Sequence, residues 1–470
     1  MTLTAPAPEA LQELQTGFRG ELMQPDSGGY DDARRVFNAM IDRRPALIAH
    51  CSGVADVIAA VRFGAANDLP IAVRGGGHAV TGHAVCDGGI VIDMRGMKGM
   101  RVDPEAKTVW AQAGLTWGEF DHETQAFGLA TTGGRMSETG IAGLTLGGGS
   151  GWLERKHGFT CDNLISVELV TGDGRLVRAS EDENPELFFG LHGGGGNFGV
   201  ATAFEYRLHE VGPIVYGGIM MFPAPRASEV LRAYRDFIAD APGEVGGGCA
   251  FLTAPPEEFV PEEARGKQVL GVIVAYFGPV EEGEKAFAPI RELGPAVEMV
   301  QPMPYVAVQQ LTDPGNPPGM QNYWKGDFVD ELTDEAIDTL CEHAAKVPSP
   351  LTALLVLPMG GAIATPPRET PLIDRDAAFD IHYLSLWPDP GDTERNIDWT
   401  RETFEAMRPH ATGGLYLNFT ASEDEGLIRA AFREHTDRMV ALKDEWDPQN
   451  LFRLNQNIKP SQPAMSPQIA

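Results

Sequence analysis

The sequence predicts an α+β chain of two domains, on three observations. Its first glycine-rich loop, Arg74-Gly75-Gly76-Gly77-His78, lies between two apolar strand-like runs, whereas a Rossmann or Walker phosphate loop leads from a strand into a helix. Strands and helices are mixed up to about residue 212. From 213 to about 410 the texture changes to helices set between apolar β-like runs, punctuated by the Pro-rich connectors KVPSP and TPPRETP.

The elements follow in order. Val54, Val57, Ile58 and Val61 at helical spacing predict a helix over 54–67 with Ser52 as its cap, ended by Pro70. Strands are expected at 71–73 and 90–92, on either side of the glycine loop, and again at 109–114. Thr116 and Glu119 have the spacing of a capping box opening a helix that Gly128 closes. A strand at 165–170, a turn at Asp173-Gly174 and a returning strand from Arg175 follow. Asn184-Pro185-Glu186 reads as a cap and first turn of a short helix, and 200–208 as an alternating strand. Later helices are expected near 228–240, 281–293 and 333–347. Near the C-terminus a strand is expected over 415–419. A long amphipathic helix then carries Leu427, Ile428, Ala431, Phe432, Met439, Leu442 and Trp446 on one face, stopped at Asp447-Pro448.

Composition narrows the function. At 470 residues with 43% hydrophobic content the chain can bury a large core. The 37 basic against 66 acidic residues give a net charge of -29, which repels phosphate backbones and anionic lipid surfaces, so neither nucleic acid nor membrane is an expected partner. No apolar run reaches membrane-spanning length. The opening MTLTAPAPEALQELQTGF lacks a basic region followed by an apolar core, so a cytoplasmic location is expected. The five cysteines, Cys51, Cys86, Cys161, Cys249 and Cys341, are scattered without CxxC spacing and read as free packing thiols, with no metal site.

Glycine marks the sites where a ligand or another backbone comes close. Arg74 to Gly77 can offer a nest of backbone N–H groups to a pyrophosphate. Alone, these glycines indicate either an anion-binding turn or a structural one.

An ordered series accompanies them: the Ile90–Asp93 run, the region from Thr132 to Asn163, ELFFGLHGGGGNFGVAT, and the terminal DPQNLFRLNQNIKP. Together, over nearly the whole chain, these resemble the berberine-bridge-enzyme-like branch of the vanillyl-alcohol-oxidase flavoproteins, in the style of bacterial members that tailor secondary metabolites. The resemblance implies a p-cresol methylhydroxylase-type FAD-binding domain over residues 1–212, with its core at about 41–212. Residues 411–470 would complete it around an α+β substrate domain, 213–410, with an antiparallel sheet.

The family's histidine that bonds to the flavin 8α-methyl matches His78; otherwise His78 caps the nest or binds phosphate. Gly82 and His83 resemble further contacts to this loop. Many relatives carry a second link through a cysteine, and Met136 stands at that position, so a single covalent FAD attachment is expected. Thr139, Gly140 and Gly143 resemble the backbone passing the reactive flavin edge, continued by Gly147, Gly148, Gly149 and Trp152. Asp162, Asn163 and Ile165 resemble adenine-side and ribose-side contacts, and Gly199, Val200, Asn455 and Asn457 later cofactor contacts. Gly193 to Gly196 are either part of this lining or turn chemistry alone.

Tyr416-Leu417-Asn418-Phe419 matches the family's Y-x-N-[YF] strand, which would put Tyr416 and Asn418 on one face. Tyr416 is the first catalytic candidate, as a base whose pKa nearby charge would have to lower, with Asn418 and Thr139 beside it; its alternative is a core tyrosine. The strand LTALLVLPMGG carries no carboxylate where other relatives place a glutamate base. Trp152, Tyr305, Tyr323, His382 and Trp387 are candidate pocket residues, with Asp380 and His382 either a polar pair of the site or a surface ion pair.

The resemblance implies oxidation of a small organic alcohol, amine or activated C–H group by hydride transfer to flavin N5, with O2 as acceptor and H2O2 released, in a monomer or homodimer. A flavin-dependent oxygenase and a non-catalytic flavin-binding protein are the rivals.

Overall fold

Apolar runs too short to be helices pair into three main sheets in the computed structural model, which describes residues 7–258, 260–262, 264–421 and 426–462. The first six residues, within the stretch read for a secretion signal, and 463–470, the end of the C-terminal segment, lie outside the described residues.

The first sheet joins β1 (Glu21–Met23), β2 (Leu47–His50), β3 (Ile71–Arg74) and β4 (Ile90–Asp93) in the order β1-β2-β4-β3. β4 runs parallel to both β2 and β3. The glycine loop therefore leaves the end of β3 and must return across the sheet to start β4 beside it. The second group comprises β5 (Met100–Asp103), β6 (Thr108–Gln112), β7 (Leu129–Ala130), β8 (Leu164–Val170), β9 (Leu176–Ser180), β10 (Val200–Arg207) and β11 (His209–Glu210). Five of these form an antiparallel sheet ordered β5-β6-β10-β8-β9, and β7 pairs with β11.

The third sheet is antiparallel and seven-stranded: β12 (Ile214–Pro223), β13 (Val245–Thr253), β14 (Gln268–Tyr276), β15 (Val297–Pro304), β16 (Gln321–Val329), β17 (Ala353–Pro358) and β18 (Phe379–Trp387). Their order is β15-β12-β14-β13-β17-β18-β16. Side chains alternate faces. Phe251, Val272, Leu354 and Ile381 point to a core shared with helices Ala227–Ala239 and Asp334–Ala344. Their sequence neighbours Leu252, Ile273 and Leu355 lie on the opposite face, toward the first two sheets. Residues of the C-terminal segment, among them Tyr416, Phe432, Met439 and Phe452, pack in one core with residues of the first two sheets.

Local chemistry explains most element boundaries. Thr116 and Glu119 form the expected capping box of the helix Trp117–Gln125, and Pro185 opens the helix Pro185–Gly190. Four expectations need correction. The cap of helix Val54–Ala66 is Gly53; Ser52 instead donates to Asp56, which also accepts the backbone N–H groups of Arg19 and Gly20. The helix expected over 281–293 is two, Val280–Ala286 and Ala288–Arg291, because Pro289 has no N–H to continue the ladder. The long C-terminal helix is interrupted between Gly426–Phe432 and Thr436–Trp446, where Arg433 adopts φ 37° and its guanidinium pairs with Asp374. The stretch over 415–419 is not a strand: Tyr416 is extended, but Leu417–Phe419 turns as a 3-10 helix, with the Phe419 N–H closing on the Tyr416 carbonyl at 3.1 Å rather than joining the neighbouring edge strand β16.

Among the described residues no helix is long and apolar enough to cross a membrane.

Candidate active site

The glycine loop is held from below and open above. Arg74, buried at the end of β3, donates to the carbonyls of Ala33 and Arg35, and so anchors the preceding segment; it does not line a cavity. Gly75, Gly76, Gly77 and His78 do. The loop touches the Thr139-Gly140 backbone so closely that a Cβ on Gly140 would sit 2.2 Å from the Gly76 nitrogen. A side chain on either glycine would drive the two loops apart.

His78 stacks on Phe37 with ring centroids 3.8 Å apart. Its Nε2 is shielded and finds no hydrogen-bond partner among the described residues. Burial lowers the imidazole to about 4, so at neutral pH the ring is uncharged. Thr81 Oγ1 lies 3.0 Å from His83 Nδ1, and both residues line the same cavity; Gly82 between them packs on Ile41.

That cavity measures about 1160 Å3, above the roughly 300–1,000 Å3 usual for ligand sites. Thr139, Gly140, Gly143 and Gly147 form one wall, with Gly199 and Asn455 on another. A Cβ on Gly143 or Gly196 would meet nothing within 4 Å, so glycine there keeps open volume open. Gly193 to Gly196 belong to the wall as well. Asn455 Oδ1 is buried without a partner among the described residues.

Several residues singled out from the sequence sit behind the wall. Gly148 and Gly149 have φ of 108° and 85°, and a Cβ on Gly149 would strike the Thr160 hydroxyl, so these glycines serve the turn. Trp152 is buried under the Arg135 guanidinium. Asp162 holds a buried bidentate pair with Arg375 at 2.8 and 2.9 Å. Asn163 donates to the carbonyls of His157 and Phe159. Ile165 lies on β8, Val200 in the core below, and Asn457 beside the wall without joining it.

Tyr416 and Asn418 do meet, through the turn rather than through strand alternation. Asn418 lines the cavity; its Nδ2 donates to Tyr416 Oη at 3.2 Å and to the Leu144 carbonyl at 3.1 Å. The N–H groups of Gly149 and Ser150 also donate to Tyr416 Oη, at 2.8 and 2.9 Å. Burial pushes the phenol up, against the pull of the Asn418 and Gly149 donors, and the carboxylates of Glu154 and Asp380 add to the rise. The lowered pKa that a base role requires is thus not found, and Tyr416 is not on the cavity wall. Beside it, Arg135 on the wall pairs with Glu154 at 2.6 Å and donates to Ser150 Oγ at 2.8 Å.

The aromatic pocket candidates lie elsewhere. Tyr323 and Trp387 project to the helix side of the third sheet, where Tyr323 meets Arg401 and Trp387 bonds Thr393. Tyr305 packs on Phe277. His382 is on the cavity side, but Phe419 covers it in a 3.8 Å stack, and it forms a buried, not a surface, pair with Asp380 at 2.7 Å. The aromatic residues that do line the cavity are Trp324, Phe419 and Phe452, beside aliphatic side chains. Strand alternation is the signal that marks those on the third sheet. Met136 lines the cavity too, packed near Phe37 and Trp324, and no cysteine does.

Comparison with known proteins agrees with this arrangement. Residues 45–180 match the family described as FAD binding domain, and residues 415–459 the family described as berberine and berberine like. An FAD-linked oxidoreductase of Dictyostelium discoideum is 32% identical over 463 residues, covering 97% of this chain and 98% of that one. The (R)-6-hydroxynicotine oxidase of Paenarthrobacter nicotinovorans is 31% identical over 460 residues, 94% of this chain and 97% of its own. The crystal structure of 6-hydroxy-D-nicotine oxidase from Arthrobacter nicotinovorans superposes with a TM-score of 0.85 at 28% identity, over 94% of this chain and 98% of that one.

Proposed function

This chain belongs to the berberine-like FAD-linked oxidoreductases, and from that premise we propose that it carries FAD covalently on His78 alone and oxidises a small organic substrate with O2 as the electron acceptor. The cavity residues fit the cofactor. The glycine wall leaves room for a flat ring and a pyrophosphate, and His78 Nε2 and Asn455 Oδ1 are polar atoms on or behind that wall still wanting a partner. FAD held there would supply two-electron redox chemistry, acceptance of a hydride from a substrate carbon and reoxidation by O2 to hydrogen peroxide.

The observation that carries the covalent reading is His78 itself. A neutral imidazole whose shielded Nε2 has no partner among the described residues keeps a lone pair for bond formation on the cavity wall. Met136 offers only a thioether where a thiol would be needed for a second link, so His78 is the sole anchor. Asn418 presents its amide to the cavity, and Tyr416 holds that amide and the Gly149–Ser150 turn in place. On this reading Tyr416 is a positioning residue that stays protonated. Residues 213–410 supply the substrate half of the cavity.

The test is acid precipitation of the purified protein followed by mass spectrometry of its peptides. The flavin is expected in the pellet, on the peptide containing His78, and in the supernatant for His78→Ala. Flavin released from the unaltered protein sinks the covalent reading. Under turnover, peroxide is expected in step with O2 consumed; label from 18O2 appearing in the product instead identifies an oxygenase.

A further inference from the structure

The cavity does not end at the glycine wall. It continues along the third sheet, where alternation brings one apolar side chain after another to the same face: Ile219 on β12, Ile273 on β14, Leu252 on β13, Leu355 on β17, Leu384 on β18 and Trp324 on β16. These strands are neighbours in the sheet, so their side chains form one continuous hydrocarbon floor.

The ionisable groups on the wall are elsewhere or already paired. His78 and His83 belong to the glycine loop, and Arg135 is engaged by Glu154 and Ser150. Glu257 is exposed to solvent at the rim. The hydroxyls near the floor are few, and each holds one protein partner: Thr253 accepts from Gln268, Thr312 donates to the Arg135 carbonyl, and Thr352 accepts from the Leu386 N–H. The floor itself carries no charged side chain to pair with an ammonium or a carboxylate. A sugar would leave several hydroxyls without partners, each costing roughly tenfold in affinity.

We propose that the substrate is an uncharged, largely hydrocarbon molecule whose body lies along this floor and whose oxidisable polar group faces the Ser150–Asn418 end. The assignment rests on reading the cavity as the flavin and substrate site. Ser150 and Asn418, both bonded to the Tyr416 hydroxyl, give that end its polar groups, and the floor gives affinity through apolar area.

Equilibrium dialysis of the flavin-loaded protein tests this without requiring turnover. The probes are 4-alkylbenzyl alcohols from methyl to octyl, 4-octylbenzylamine, which is cationic at neutral pH, and cellobiose. Affinity for the alcohols is expected to rise roughly fourfold per methylene until the floor is covered. The amine is expected to bind at least about tenfold more weakly than the matched alcohol, because its charge is buried unpaired. Cellobiose is expected not to saturate. Leu355→Asp is expected to reverse the order of octyl alcohol and octyl amine, and the volume-conserving Leu355→Met to leave it unchanged. Affinity independent of chain length, no binding of any alcohol, or cellobiose or the amine binding as tightly as octyl alcohol overturns the proposal. If the purified protein instead lacks the oxidised-flavin absorption band, the flavin reading fails while dialysis still reports on the apolar site.

Discussion

At the scale of single residues, the site depends on atoms that are missing as much as on those present. Gly140 has no room for a Cβ because the Gly76 nitrogen would lie 2.2 Å away. Gly140→Ala is therefore expected to separate the two glycine loops, and on the proposed function the variant should purify with less than half the flavin of the parent, read from the ratio of flavin to protein absorbance. Tyr416→Phe removes the oxygen that accepts the Gly149 and Ser150 N–H groups and the Asn418 amide. Leaving buried donors unpaired costs about 1–3 kcal/mol, so denaturant unfolding should show a loss of that size. If the phenol is instead a base, the loss should appear in kcat with stability unchanged.

At the scale of elements, the helix Trp117–Gln125 contacts the helix Tyr305–Gln309 through a buried carboxylate. Asp121 accepts from Gln309 Nε2 at 3.3 Å, and its other oxygen has no partner among the described residues. Burial pushes it up to about 7, offset in part by the Gln309 donor. The folded pKa lies above the unfolded value, so the unfolded chain releases this proton first as pH rises. Stability from this group is full below about pH 4 and is lost by about pH 7, at about 1.4 kcal/mol per pH unit. Asp121→Asn has no proton to lose, so its melting temperature relative to the parent should climb from pH 4 to 7 and then stay constant. A gap independent of pH rules out the shifted carboxyl. The same scale holds the clearest limits of sequence reading. Alternation located the strands but not the turn at Leu417–Phe419, because there the Phe419 N–H closes on the Tyr416 carbonyl although the edge strand β16 runs alongside.

At the scale of the molecule, the connector carrying Arg368, Leu372 and Arg375 ties the third sheet to the segments of Gly148, Asp162 and Gly193. Arg375 pairs with Asp162 in the interior, and Leu372 lies where a Cβ on Gly148 or Gly193 would strike it. Arg375→Ala strands a buried carboxylate, and such a loss costs about 3–5 kcal/mol. A double variant that also carries Asp162→Asn should recover much of it in thermal or denaturant unfolding. Equal losses in the single and double variants would mean that the pair contributes nothing beyond packing.

The family was legible in the sequence, and so were the glycine loop and the places of His78 and Met136 on the cavity wall, because each depends on local residue identity and on the order of segments along the chain. Which other side chains form the cavity was not. Trp387 and Tyr323 read as pocket aromatics and face the helices, whereas Leu355 and Leu384, ordinary in sequence, form the floor. Asp162 read as a cofactor contact and holds Arg375, 213 residues away. Those assignments follow from which face of a strand meets which neighbour, and that is settled only when distant segments pack and their buried charges find partners.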